Sequence, residues 1–211
     1  MERSFWGNTL SIYIENMKSI IVICEGKSET KYLQELNRFL RENSTENSIV
    51  FVHKTVGTGH FTEVIKKYRS ERKLNKKANI EIWVDYDIYK RNEQQNCDKY
   101  KKKPKGISDF KFNYFNFEDF LIMHFNDDVL NKWKEICKAN NHFNEPMKSE
   151  KYLKLIQQNI FADYDKSSLT NLFVFNKQTL ENLFKHNAEQ SEFKSDFAEF
   201  LENIINKENL K

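Results

Sequence analysis

The run Lys18–Cys24, KSIIVIC, constrains this chain more than any other segment. Its last five residues are apolar and mostly β-branched, with no polar position to face water on either side. A run this short, bounded by Glu-Gly, reads as a fully buried strand, as in a parallel sheet. It ends at Glu25-Gly26 and gives way to Ser28–Glu42, where Tyr32, Leu33, Leu36, Phe39 and Leu40 recur at helical spacing behind Ser28 as the expected N-cap. The pattern then repeats. A strand is expected over Ile49–Val56, a turn at Gly57-Thr58-Gly59, a helix over His60–Lys76 and a third strand over Ile80–Val84. Alternation of this kind predicts βαβ units and an α/β, Rossmann-like fold.

After a polar, basic stretch the chain alternates Phe with polar residues over Phe110–Phe115, a fourth strand, and a helix follows at Glu118–Phe125. From Asp127 onward the pattern is mainly helical. Leu172–Phe175 reads as a short strand, and the last helix buries Phe193, Phe197, Phe200, Leu201, Ile204 and Ile205 on one face. The expected organisation is an α/β domain over 1–125, with a parallel sheet of about four strands and a basic insertion at 88–108. A helical C-terminal extension covers 126–211.

The formal net charge is only +3, but the cations are unevenly placed. Residues 64–77 and 90–105 are strongly basic and flank an acidic motif, a distribution that favours a polyanionic partner. Lys66, Lys67, Arg69, Arg72, Lys73, Lys90, Arg91, Lys101, Lys102 and Lys103 are the candidate nucleic-acid contacts. Each segment alone also reads as a solvated helix face or loop. Cys24, Cys97 and Cys137 form no CxxC pair, the N-terminal residues do not read as a signal peptide, and no apolar run would span a bilayer. A cytoplasmic protein without a membrane partner is expected.

Two tempting phosphate motifs fail on spacing. Gly26-Lys27-Ser28 lacks the earlier glycine of a P-loop, because Ile21 stands there inside the strand. Gly57-Thr58-Gly59 lacks the third glycine of a dinucleotide fingerprint, where Thr62 stands. What remains is acidic. Glu25 lies just beyond the carboxyl end of the first strand, where α/β folds gather their functional groups. Asp85 and Asp87 end the third strand two residues apart and so point the same way. Carboxylates this close repel unless a cation joins them, and hard oxygen donors select Mg²⁺, or Mn²⁺.

The chain here resembles a known family. Glu25-Gly26 after a buried strand, followed by Asp85-x-Asp87 after a later one, is similar to the Toprim arrangement of topoisomerases, bacterial primases and OLD-type nucleases. Phe117-Glu118-Asp119-Phe120-Leu121-Ile122-Met123-His124-Phe125 resembles a further motif of the RloB-like group of Toprim proteins. The resemblance implies a Toprim fold, with Glu25 as a metal ligand or general acid/base and Asp85 and Asp87 as metal ligands. Glu29 takes the place of a second acidic ligand. Glu118, Lys27, His60, His124 and Lys166 are accessory candidates, each with an ordinary structural reading beside it: a helix cap for Glu118 and a core position for His124. The implied function is a metal-dependent nuclease acting on DNA or RNA in phage defence, working with a partner ATPase. An RNA- or tRNA-directed nuclease and a non-catalytic metal- or ligand-binding module are the rival expectations.

Overall fold

The computed structural model describes residues 18–43, 49–57, 60–85, 110–144, 147–165, 174–189 and 192–205. Within them lie strands β1 (Lys18–Cys24), β2 (Ile49–Thr55), β3 (Asn79–Asp85) and β4 (Phe110–Asn113). The helices are α1 (Lys27–Asn43), α2 (Phe61–Leu74), α3 (Phe117–Ile122), α4 (Asp127–Ala139), α5 (Ser149–Asn159), α6 (Lys177–Glu189) and α7 (Asp196–Ile205). The strands form one all-parallel sheet in the order β2-β1-β3-β4. This is the α/β, Rossmann-like architecture that the apolar runs imply.

The two sheet faces are covered unequally. Ile20, Val22, Cys24, Phe51 and Trp83 belong to a large core shared with α1 and α3–α7. Ile21, Ile23, Ile80, Ile82, Val84, Phe110 and Phe112 form a smaller core, closed by Val64, Ile65 and Tyr68 of α2. Trp83 stacks on Phe197 of α7 with ring centroids 3.9 Å apart, so the C-terminal helices share the core of the sheet.

Several expected boundaries shift. Helix α1 starts at Lys27, ahead of the expected cap Ser28. Strand β4 stops at Asn113, because Tyr114 N–H turns aside to Lys194 O. Helix α3 ends at Ile122, where His124 N–H and Phe125 N–H bond back three residues and Asn126 caps α4. Helix α7 begins at Asp196, so Phe193 is buried ahead of it. Val174 and Phe175 form no strand, and Leu172 lies outside the described residues.

Side chains and a loop take up part of each sheet edge, which blunts them as pairing templates. On β2, Asn37 of α1 pairs with both backbone groups of Phe51, accepting from its N–H and donating to its C=O at 2.9 Å each. Gln34 meets His53 and Thr30 meets Thr55 along the same helix face. On β4, Phe112 N–H donates to Asp196 and Asn113 bridges to Ser195.

His124 lies in the larger core and is 1% exposed. Its Nδ1–H donates to the Phe120 and Leu121 carbonyls, so Nε2 accepts from Tyr32 O–H at 2.9 Å. Burial lowers its pKa from 6.5 to about 3.

Two outcomes follow from these contacts. Asn37→Leu strands both Phe51 groups and should cost about 1–3 kcal/mol in a denaturant titration, with new concentration-dependent association. An unchanged midpoint would show that the edge does not depend on Asn37. His124 is neutral when folded and protonates near 6.5 when unfolded, so the unfolded state takes up the extra proton between these values. Stability should therefore fall as pH drops from about 6.5 towards 3. The slope should be shallower in His124→Gln, measured by urea unfolding at stepped pH.

Candidate metal centre

The strand order reverses at β1. The chain steps outward to β2 and then returns past β1 to lay down β3. The crossover helices α1 and α2 consequently pack on opposite faces and leave a crevice at the carboxyl ends of β1 and β3. Glu25 follows β1, Glu29 sits in the first turn of α1 and Asp85 ends β3. Each offers a carboxylate oxygen, and these oxygens all lie within 4.8 Å of one another.

The loop carrying Glu25 is tied down by its neighbours. Val56 N–H donates to Cys24 O and Gly57 N–H to Glu25 O, each at 2.9 Å. Gly26 N–H donates to Glu29 Oε2 at 3.2 Å, and a Cβ on Gly26 would stand 3.1 Å from that same oxygen. A side chain there would press on the carboxylate, which is why the Glu-Gly pair suits this turn.

Asp85 is held from two sides. Its Oδ1 accepts from Asn113 Nδ2 at 3.0 Å, and its Oδ2 from the Phe117 N–H at the start of α3 at 3.1 Å. Asn113 has no rotational choice. Its own oxygen accepts from Trp83 Nε1 at 3.1 Å and Ser195 Oγ at 2.8 Å, so the amide NH₂ must face Asp85. Burial pushes the Asp85 carboxyl well above the usual range. Glu29 and Glu25 push it further, the Asn113 hydrogen bond opposes them, and Glu118 adds a smaller push. Glu118, 5% exposed, accepts from Tyr164 O–H at 3.4 Å.

A set of three carboxylates with no sulfur or imidazole suits a hard divalent cation, which would offset both the burial of Asp85 and the smaller repulsion from Glu29 and Glu25 that raise its carboxyl. A second group, Asp119, Cys137 and His142, also brings its ligand atoms within 4.8 Å of one another. Its bonding is already complete. Asp119 accepts from Trp133 Nε1, Tyr152 O–H, the Asn116 N–H and His142 Nε2. Met147 N–H donates to His142 Nδ1 at 3.0 Å, which fixes the tautomer and uses both ring nitrogens. Burial, with Asp119 beside it, pushes the Cys137 thiol up and keeps it protonated. This group is a buried hydrogen-bonded joint of α3, α4 and α5.

The remaining candidates are placed as follows. Lys27 is exposed in the first turn of α1, and His60 is the exposed N-cap residue of α2. His124 is in the core. Lys66, Arg69 and Lys73 are exposed on α2, Lys67 pairs with Glu71 at 3.2 Å, and Arg72 turns back to donate to Ala78 O at 2.8 Å. Asp87, Lys90, Arg91, Lys101, Lys102, Lys103 and Lys166 lie outside the described residues. Sequence reasoning missed Asn113, Ser195 and Tyr164. Asn113 had one signal, as the polar residue that ends a Phe-alternating strand. In the register it stands opposite Asp85. Compared with protein-family models, curated proteins and solved structures, the chain gives no significant match.

Proton and cation compete for Asp85, so Mn²⁺ or Mg²⁺ affinity should rise with pH through the raised pKa, with proton release on binding. The stability linked to a raised carboxyl is present at low pH and lost as pH climbs through its folded pKa. The metal-induced rise in melting temperature should therefore grow with pH, and Asp85→Asn should flatten that trend. Asn113→Ala should weaken the metal about 10–100-fold by isothermal titration. Equal affinity would show that the Asn113 clasp does not position Asp85.

Proposed function

We propose that this chain is a divalent-metal-dependent phosphodiesterase that cuts nucleic acid, with Glu25, Glu29 and Asp85 holding the cation. The observation that carries the reading is the convergence of these three carboxylates within 4.8 Å at the strand-order reversal. The Toprim and RloB-like resemblance of the same residues supports it. On that resemblance Asp87 adds a ligand, and the protein serves as a defence effector under a partner ATPase.

A bound Mg²⁺ or Mn²⁺ supplies charge neutralisation for the phosphate and acidifies a coordinated water. The chain's own groups do the rest. Asn113 and the Phe117 N–H orient Asp85 at both oxygens, leaving its outer lone pairs towards Glu25 and Glu29. Burial of Glu29, at 4% exposure, lowers the local dielectric and strengthens every charge interaction in the cluster. Glu118 and Tyr164 sit behind the cluster as a hydrogen-bonded pair. The cations of α2 suit phosphate contacts, which give affinity without sequence preference.

The test is cleavage of supercoiled DNA, linear DNA and tRNA by the purified protein with Mg²⁺, Mn²⁺ or EDTA. Cutting should require the metal and drop to background in Asp85→Asn, while that variant keeps a cooperative melt. Cutting that survives EDTA, or that Asp85→Asn leaves intact, would overturn the reading.

A further inference from the structure

His124, His142 and His186 are all buried, and their hydrogen bonds set one of them apart. His124 donates from Nδ1 and accepts at Nε2 from Tyr32. His142 accepts at Nδ1 from Met147 N–H and meets Asp119 with Nε2. Each has one nitrogen that accepts, the pattern of a neutral ring. His186, 1% exposed on α6, faces an acceptor on both sides. Its Nδ1 meets Met123 O at 2.8 Å and its Nε2 meets Asp127 Oδ1 at 2.7 Å. A carbonyl oxygen and a carboxylate only accept, so both ring nitrogens must donate. Only the imidazolium can do that.

The surroundings of Asp127 keep it a carboxylate. Its side chain is 60% exposed, and Lys185 Nζ donates to both of its oxygens at 2.9 Å. The hydrogen bonds from Lys185 and then from His186 hold its carboxyl below the usual range. Asp127 thus faces His186 from α4, Lys185 stands beside it on α6, and His124 lies across the turn. Where the segment before α7 meets α6, the contact is the uncharged pair Ser195 and Asn187. Asn182, one turn earlier on α6, donates to His124 O at 3.2 Å. Residues 123–127, which join α3 to α4, are therefore held by three side chains of a single helix.

We propose that His186 is a proton-operated clasp, which fastens α6 to the turn between α3 and α4 when charged and frees the start of α4 when neutral. The proton that leaves is the one on Nε2. Loss of the Nδ1 proton would set a lone pair against the Met123 carbonyl in the interior, whereas Asp127 keeps Lys185 and water. The neutral ring then turns a lone pair towards the carboxylate, and Asp127 swings out with Lys185. A clasp that needs a bound proton contributes fully in acid and fades as pH rises through the range where histidine titrates. The sign is opposite to that of His124, whose neutral ring is lost in acid. The clasp depends on these bonds alone and is independent of the nuclease reading.

Ring ¹⁵N spectra of the full chain, recorded from about pH 5 to about pH 8, test the charge. At the acid end His186 should show two protonated nitrogens where His124 shows one, and at the alkaline end it should keep Nδ1–H. A neutral His186 at about pH 5, or a ring that keeps Nε2–H instead, would overturn the clasp. Urea unfolding over the same range gives the linkage. The folding constant of wild type relative to His186→Gln should fall about tenfold between about pH 6 and about pH 8, roughly the worth of one charge-assisted hydrogen bond. Asp127→Asn changes the exposed partner, gives the same comparison if His186→Gln fails to fold, and should flatten the trend likewise. A wild-type advantage that stays constant with pH over both variants would make His186 a packing residue and overturn the proposal.

Discussion

The return of the chain past β1 to form β3 decides where everything polar goes. Each right-handed crossover needs a helix, and reversal of direction sends α1 to one face and α2 to the other. Among the described residues no helix then crosses the carboxyl ends of β1 and β3, and the residues at those ends face a crevice. Two of them are acids, Glu25 and Asp85, and the first turn of α1 brings a third, Glu29. Three carboxylates within 4.8 Å oppose folding unless their positions are imposed by something stronger. Here that is burial of the strands they end, since Ile23, Cys24, Trp83 and Val84 are fully enclosed.

The helical C-terminal region contributes to the same result. Ser195, at the start of α7, donates to Asn113, whose amide then has one way to face. Asp85 receives its N–H as a consequence. Trp83 reaches Asn113 with its indole N–H while its ring stacks on Phe197, so packing and polarity are fixed by one side chain. Asp119 makes a useful contrast. It is as buried as any acid among the described residues and receives four donors, from Asn116, Trp133, His142 and Tyr152. Among the described residues Asp85 receives two and otherwise faces carboxylates. An acid enclosed by donors is a structural anchor, and an acid that faces other acids has the chemistry that suits a cation.

The difference between those two aspartates also marks what the sequence could reveal. The strand-ending acids Glu25 and Asp85 were legible because an unbroken apolar run has only one way to be buried, and its end is therefore placed. The capping box at Asn116 and Asp119 was legible for a similar local reason. Asn113 and Ser195 meet across 82 residues, and no local pattern encodes a contact of that range. Asn37 read as one polar position on an amphipathic helix, although it occupies the edge of β2. Arg72 read as one cation among several, yet its guanidinium is spent on Ala78 O and the Tyr68 hydroxyl. Charge counts along a helix thus overstate what is available to a polyanion.

If the proposed function holds, the acidic centre has to accept a phosphate strand. A cluster of carboxylates repels a polyanion, and a bound divalent cation offsets only part of that charge. Further cations must stand close by, yet not so close that they fill the cluster themselves. The unequal covering of the sheet meets this requirement. Lys66 and Lys67 lie on α2, on the face opposite α1, so the sheet stands between them and Glu29, while the end of β2 runs beside the turn at Glu25, with Gly57 N–H bonded to Glu25 O. Each lysine is kept near its place by a carboxylate one turn away, Lys66 by Glu63 in an exposed pair and Lys67 by the buried Glu71. On the proposed function, attraction for a phosphate strand and affinity for a cation would fall on opposite faces of one sheet and meet at its carboxyl edge.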